Sequence, residues 1–307
     1  MKHFIIQKFS SKKTSSLILV FVILLSSCCK DHDCKCPKDD KIDYTEFFIA
    51  HAGGAIDGYT YTNCLEALNL SYSKGCRLFE LDLTLTTDGK IVAVHDWINF
   101  KKITNYSGTI DDTPLTEKEF LSLKIYDKYT PLNMKAINLW FRNHPDAILV
   151  TDKINDPKRI YDDFLFHKRV IMELFTWEAV DIAINLGIKP MVSENLIFGS
   201  SKKSIEMGIK PLPPPRNSEI EQILKDKRIE YICMSRYYCI IGSEDFLRKL
   251  KKNGIKNYVY HLGLPVPISG QTAEKYVWNY EMNFCYGMYA DDLDLLTTLL
   301  NEQKTKR

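Results

Sequence analysis

GCRLFELDLTLTTDGKIVAVHD, residues 75–96, contains two apolar runs of β-strand type on either side of an Asp-Gly turn. In the first run, Glu80 and Asp82 alternate with apolar residues, so a strand period of two aims both carboxylates at the same side. The second run ends at His95 and Asp96. Asp-Gly is typical of a tight hairpin, which predicts that these two strands are antiparallel.

Similar short β-rich runs recur along the chain between helical patterns, which favours a parallel sheet with crossover helices. Nine candidate strands over about 260 residues fit a closed (β/α)8 TIM barrel better than an open sheet. Because neighbouring barrel strands are parallel, the predicted hairpin implies a distortion at the second and third strands. The candidate strands are 47–51, 77–85, 91–95, 147–153, 169–175, 189–193, 230–234, 257–262 and 285–289.

The N-terminus has the pattern of an export signal. Residues 1–27 hold four lysines, an apolar run too short to span a bilayer comfortably, and then small residues. Residues 25–28, Leu-Ser-Ser-Cys, resemble the lipobox of bacterial lipoproteins, which implies a lipid on Cys28. We therefore expect a signal peptide (1–27), a charged tether (28–45) and a barrel domain (46–307), exported and anchored to a membrane on its periplasmic or cell-surface side. An uncleaved anchor with an unmodified Cys28 is the alternative.

The formal charge argues against a nucleic-acid partner. The whole chain has 41 basic and 39 acidic residues, but without residues 1–27 there remain 37 basic and 39 acidic residues, a charge of −2. A nearly neutral domain has no broad cationic face for a phosphate backbone.

Nine cysteines in an exported chain favour disulfides, although the sequence does not assign their pairing. Those in the predicted barrel are Cys64, Cys76, Cys233, Cys239 and Cys285.

Polar residues stand at the ends of several predicted strands: His51, the Glu80/Asp82 pair, His95 and Asp152. Buried carboxylates repel each other and need a cation. Oxygen ligands suit Mg²⁺ or Ca²⁺, so Glu80, Asp82 and Asp152 predict a divalent metal site. Two histidines beside such a site suit an acid and a base, because imidazole titrates near neutral pH.

These residues lie in motifs that resemble the opening motifs of glycerophosphodiester phosphodiesterases. The family pattern is His-Arg-Gly, Glu-Asn-Thr, Glu-x-Asp, Thr-x-Asp-Gly and His-Asp, in this order. The corresponding segments here are HAGG (51–54), TNCLEA (62–67), GCRLFELD (75–82) and TDGKIVAVHD (87–96). Weaker matches to the family pattern follow at TDK (151–153) and YGMYAD (286–291).

The resemblance implies a TIM barrel that hydrolyses glycerophosphodiesters to an alcohol and glycerol 3-phosphate with a divalent metal. By position, His51 and His95 would be the acid/base pair, and Glu80, Asp82 and Asp152 the metal ligands. The partner would then be a small phosphodiester or a lipid head group.

Three departures from the family pattern concern substrate contact. The family arginine that contacts phosphate is Ala52 here, and of Glu-Asn-Thr only Asn63 is kept. Lys153 follows Asp152 directly, so by alternation both do not point inward from a regular strand. We expect Asn63, Lys153 and Arg77 to bind substrate, with Arg236 as a further source of positive charge.

Two alternative functions remain open at this stage. One is a phospholipase C-like lyase, which uses two histidines on the same barrel and stops at a cyclic phosphate. The other is a surface barrel that binds ligands without turnover, which the change to Ala52 suggests. Retention of both histidines and all three carboxylates favours an enzyme.

Overall fold

The computed structural model describes residues 42–198, 217–240, 244–262 and 272–306. The predicted signal peptide (1–27), Cys28 and the predicted tether up to residue 41 lie outside these residues. Within the described ranges, no helix is both long and apolar enough to cross a membrane.

Eight parallel strands close into a barrel, as predicted. Their order is β1-β9-β8-β7-β6-β5-β4-β2, and β1 also pairs with β2, which completes the ring. The remaining strand, β3, pairs only with β2 and is antiparallel to it. The strands are β1 (Phe48–Ala50), β2 (Leu78–Leu85), β3 (Ile91–Ala93), β4 (Ile148–Asp152), β5 (Val170–Leu174), β6 (Lys189–Ser193), β7 (Tyr231–Ser235), β8 (Lys256–Tyr260) and β9 (Gly287–Ala290).

The predicted distortion at the second and third strands arises because β2 changes its pairing partner part of the way along its length. Residues 78–82 of β2 pair with β4 inside the barrel, whereas residues 83–85 pair with β3 outside it. The hairpin closes through Gly89, whose φ of +71° suits glycine, and through the bond from the Thr86 N–H to the Lys90 carbonyl. Asp82 is therefore the last barrel residue of β2, so its side chain lies at the carboxyl end of the barrel.

Helices connect the strands, as the helical patterns between the β-rich runs of the sequence predict. Thr176 caps one of them, since its side chain accepts a hydrogen bond from the Ala179 N–H. The helices are α1 (Leu65–Ser73), α2 (Trp97–Ile103), α3 (Glu117–Ser122), α4 (Met134–Asn143), α5 (Pro157–Asp163), α6 (Trp177–Leu186), α7 (Glu194–Phe198), α8 (Asn217–Asp226), α9 (Tyr237–Ile240), α10 (Glu244–Lys252), α11 (Ala273–Tyr276) and α12 (Asp294–Thr305), with short 3-10 turns at Tyr44–Phe47, His51–Gly53 and His167–Arg169 and a π-turn at Val277–Glu281.

The segment between β3 and α4 forms a small core of its own. Its buried members include Trp97, Phe100 and Phe120, whose rings contact one another. Because α2 and α3 lie between two barrel strands without adding a strand to the ring, this segment is an insertion at the barrel's carboxyl end.

The compact unit begins slightly earlier than the predicted domain boundary. It starts at Asp43, and the ring of Tyr44 packs edge-on against Trp278 at 5.9 Å. Residues 43–45, predicted as the end of the tether, therefore belong to the barrel unit, because an aromatic contact buries part of their apolar surface.

Candidate active site

Three carboxylates meet at the carboxyl end of the barrel. Asp82 and Asp152 are paired in register on β2 and β4, and Glu80 lies two residues before Asp82 on the same face. One oxygen from each residue lies within 4.8 Å of the others. Glu80 and Asp82 are each only 2% exposed. The predicted ligand set is thus brought together by strand register.

The electrostatics of this cluster are unfavourable without a cation. Burial, and then the negative charges of Asp82 and Asp152, raise the pKa of Glu80 well above its ordinary value. Burial and Asp152 also raise the pKa of Asp82, although His95, Asn63 and Lys153 oppose this shift. Glu80 Oε1 is buried and has no hydrogen-bond partner in the structure. A carboxylate oxygen in this state is suited to coordinate a hard cation such as Mg²⁺ or Ca²⁺.

Two backbone positions with left-handed φ hold the carboxylates in place. The Ala52 N–H, at a residue with φ of +47°, donates to Glu80 Oε2 at 2.6 Å. Asn63, with φ of +49°, donates from Nδ2 to Asp82 Oδ2 at 2.9 Å and accepts from the Asp82 N–H at 3.0 Å. Asn63, which the sequence predicts to bind substrate, lines the pocket, and its amide orients the Asp82 carboxylate through these two bonds.

Both histidines are oriented by a carboxylate. His51 Nδ1 lies 3.1 Å from Asp291 Oδ1, and His95 Nδ1 lies 2.8 Å from Asp96 Oδ2. The ring of Tyr61 stands between them, edge-on to His51 at 4.5 Å and to His95 at 5.2 Å. A carboxylate at Nδ1 fixes the ring and directs Nε2 toward the reaction site.

Lys153 corrects one expectation. Alternation predicts that Lys153 and Asp152 do not both face the site, yet Lys153 Nζ lies 3.9 Å from Asp152 Oδ2 and from Asp82 Oδ1, and 3.3 Å from His95 Nε2. The reason is that β4 ends at Asp152 and Lys153 takes a left-handed φ of +69°. The strand rule does not hold past the end of the strand.

The two predicted arginines do not reach this site. Arg77 precedes β2 at the amino end of the barrel, where its Nε lies 2.5 Å from Asp146 Oδ2. The expectation that it binds substrate is wrong, because the length of the barrel part of β2 separates it from the carboxylates. Arg236 is buried and pairs with Glu281, with Nη2 at 2.7 Å from Oε1, so it has a structural role.

The pocket holds about 820 Å³, and neither arginine lines it. It is lined by the three carboxylates, both histidines, Asn63 and Lys153. One wall is lined by Tyr61 and by Phe100, Ile103 and Tyr126 from the insertion. Sequence reasoning missed Glu173, which also lines the pocket and is 6% exposed. The signal was present, because an acid inside the buried strand β5 breaks an otherwise apolar run.

Comparisons with known proteins identify a matching family model and similar structures. Residues 54–195 match the model of the Glycerophosphoryl diester phosphodiesterase family. A 75-residue stretch is 36% identical to YhdW of Bacillus subtilis (strain 168), a protein named for glycerophosphodiester phosphodiesterase activity. That stretch is 24% of this chain and spans only 30% of YhdW.

Solved structures extend the likeness to the whole barrel. A glycerophosphodiester phosphodiesterase from Thermotoga maritima superposes with a TM-score of 0.59 at 18% identity, covering 82% of this chain and 97% of its own. An Oleispira antarctica phosphodiesterase, solved with the product sn-glycerol-3-phosphate, gives 0.56 at 16%, covering 84% and 98%. At 16% to 18% sequence identity, such a likeness establishes the fold alone. Residues 54–195 thus match the glycerophosphoryl diester phosphodiesterase family in sequence, and the described chain has the barrel fold found in the family's solved structures.

Proposed function

We propose that this protein is a metal-dependent glycerophosphodiester phosphodiesterase that releases an alcohol and glycerol 3-phosphate. The observation that carries the proposal is one cluster: three carboxylates with a buried, unpartnered Glu80 oxygen, flanked by two carboxylate-oriented histidines and Lys153. The family match over residues 54–195 supports it.

Glu80, Asp82 and Asp152 would hold the metal, which we expect to be Mg²⁺ or Ca²⁺ because all three donors are carboxylates. When bound, such a cation neutralises phosphoryl oxygens and makes the phosphorus more electrophilic. Asn63 and the Ala52 N–H keep the Asp82 and Glu80 carboxylates in position for it.

The histidines supply proton transfer. One of His51 and His95 accepts the proton of the nucleophile, which is water or an adjacent substrate hydroxyl, and the other donates a proton to the leaving oxygen. Lys153 provides positive charge for the phosphate. Lys153 Nζ lies 3.3 Å from His95 Nε2, so the lysine stands beside the ring nitrogen that takes part in the proposed proton transfer.

Turnover assays on a panel of glycerophosphodiesters, followed by phosphorus NMR, test the proposal. We expect hydrolysis with Mg²⁺ or Ca²⁺, reversible loss with EDTA, and a fall in kcat of at least about 100-fold in His51→Ala and His95→Ala. His167→Ala is the matched control, because His167 stacks on Tyr161 outside the pocket. Full activity in either active-site variant contradicts the assignment. A persistent cyclic diester identifies the lyase instead, and binding without turnover identifies an inactive barrel.

We also propose that the protein is an exported lipoprotein held at a membrane by lipid on Cys28. The support is the pattern of residues 1–28. Metabolic labelling with a radioactive fatty acid should mark the wild type but not Cys28→Ala, and the variant should leave the membrane fraction. Equal labelling of both chains contradicts the proposal.

A further inference from the structure

Two buried cysteines lie next to each other although they are far apart in sequence. Cys239 Sγ lies 3.6 Å from Cys285 Sγ, and the two side chains are 4% and 0% exposed. Cys239 belongs to α9, after β7, and Cys285 lies just before β9. Both are free thiols in this structure.

An ion pair and hydrogen bonds close by, none of which involves sulfur, hold the two cysteines in contact. Arg236, one helical turn before Cys239, makes a buried ion pair with Glu281, one turn before Cys285. Backbone bonds tie each cysteine to that pair: the Cys239 N–H donates to the Arg236 carbonyl, and the Cys285 N–H to the Glu281 carbonyl. Lys251 Nζ donates to the Cys285 carbonyl at 2.9 Å. These interactions therefore fix the two segments so that the two sulfurs lie in contact.

We propose that Cys239 and Cys285 form a disulfide when the protein folds in an oxidising compartment, which is the environment that its leader predicts. A disulfide needs the sulfurs about 1.5 Å closer than they are here. Two of the three other buried thiols of the described residues have different partners. Cys76 Sγ donates to the Leu78 carbonyl at 3.1 Å, and Cys64 Sγ accepts from the Thr62 hydroxyl.

The oxidant is a second protein that carries a disulfide, and the oxidation proceeds by thiol–disulfide exchange with it. The thiolate of one cysteine attacks the oxidant's disulfide, which forms a mixed disulfide and releases one oxidant thiolate. The second cysteine, as a thiolate, then displaces the oxidant. The chain loses two electrons and two protons, and the oxidant leaves as a dithiol. Because both thiols are buried in the folded barrel, the exchange takes place before this part of the barrel closes.

Peptide mapping tests the pairing directly. The full chain, isolated from a host that exports it, is unfolded and alkylated without reductant, then digested. We expect a linked peptide pair carrying Cys239 and Cys285, lighter by two hydrogens than the reduced pair, while Cys64 and Cys76 are alkylated. Recovery of Cys239 and Cys285 in alkylated form from the folded, exported protein overturns the proposal.

A refolding experiment makes the test independent of export. The purified full chain is refolded in a mixture of reduced and oxidised glutathione and mapped in the same way. The linked protein should have a Tm about 10 °C above that of the Cys239→Ser/Cys285→Ser variant, since the bond closes a long loop, and prior reduction should abolish this difference. A refolded wild type with both thiols alkylated or carrying glutathione contradicts the pairing.

Discussion

Lys153 illustrates how one backbone angle decides which charges reach the site. Its left-handed φ turns the chain at the end of β4, so that an ammonium stands beside two carboxylates and His95. Of the lysines and arginines in the described residues, it is the one that lines the pocket. In the proposed reaction, with Ala52 at the position of the family's arginine, Lys153 would be the side chain that brings positive charge to the phosphate.

Removal of this ammonium should weaken phosphate binding in the transition state. We expect Lys153→Ala and Lys153→Gly to lower kcat/KM about 10- to 100-fold, the effect of losing one charge-assisted hydrogen bond, and Lys153→Arg to retain part of the activity. The glycine variant also relieves the left-handed backbone, so a loss in both variants excludes strain as its cause. Lys158→Ala, on the exposed side of α5, is the control. An unchanged kcat/KM in Lys153→Gly would refute this role.

At the scale of elements, β2 determines where the chemistry takes place. Its first five residues belong to the barrel and its last three to the hairpin, and the change of partner follows Asp82. The departure of β2 from the ring leaves room for the insertion, whose Phe100, Ile103 and Tyr126 line the pocket. One strand thus supplies two carboxylates and leads into the hairpin that precedes the insertion.

The 3-10 turn Tyr44–Phe47 is bonded through Glu46 to Lys256 of β8 and to Tyr286 just before β9, and these bonds have a testable pH dependence. Hydrogen bonds from Lys256 and Tyr286 to Glu46 lower the pKa of Glu46 from its ordinary 4.5. A carboxyl group with a lowered folded-state pKa stabilises the protein above its unfolded pKa, and this stabilisation is lost as the pH falls through the folded value.

We expect Glu46→Gln to reduce the free energy of unfolding by about 0.5 kcal/mol at neutral pH, a small value because the side chain is 48% exposed. The difference from wild type should vanish as the pH falls below the Glu46 pKa, because both side chains are then neutral. Urea unfolding at a series of pH values measures this, with Glu302→Gln in α12 as the control. A difference that is independent of pH contradicts the ion-pair explanation.

At the scale of the whole molecule, the proposed metal binding should be linked to stability. Closing the barrel forces Glu80, Asp82 and Asp152 within 4.8 Å of one another and removes water from two of them. Their mutual repulsion destabilises the metal-free fold, and a divalent cation that binds only the folded state reverses the effect.

Thermal unfolding with and without Mg²⁺ or Ca²⁺ tests this linkage. We expect saturating metal to raise the wild-type Tm by roughly 5 to 10 °C. Glu80→Gln should have a higher Tm than wild type without metal, because one buried charge is removed, and should gain little when metal is added. Glu302→Gln, an exposed acid, should respond as wild type does. If added metal raises the Tm of Glu80→Gln as much as that of wild type, Glu80 is not a metal ligand.

The sequence by itself determined the barrel and most of the site's composition. Short β-rich apolar runs identify the strands, and Asp-Gly identifies the hairpin. Acids that alternate with apolar residues in one of those runs identify Glu80 and Asp82. These features are local, so the physics of a single strand or turn is sufficient to read them.

Only the tertiary structure decided which distant groups work together. It paired Asp82 with Asp152 by register, brought Asp291 to His51, and placed Cys239 against Cys285. It also excluded Arg77, which precedes β2 at the amino end of the barrel and pairs there with Asp146. Contacts between residues far apart in sequence depend on how the ring closes, because strand order and register fix the distance between side chains that no local pattern connects.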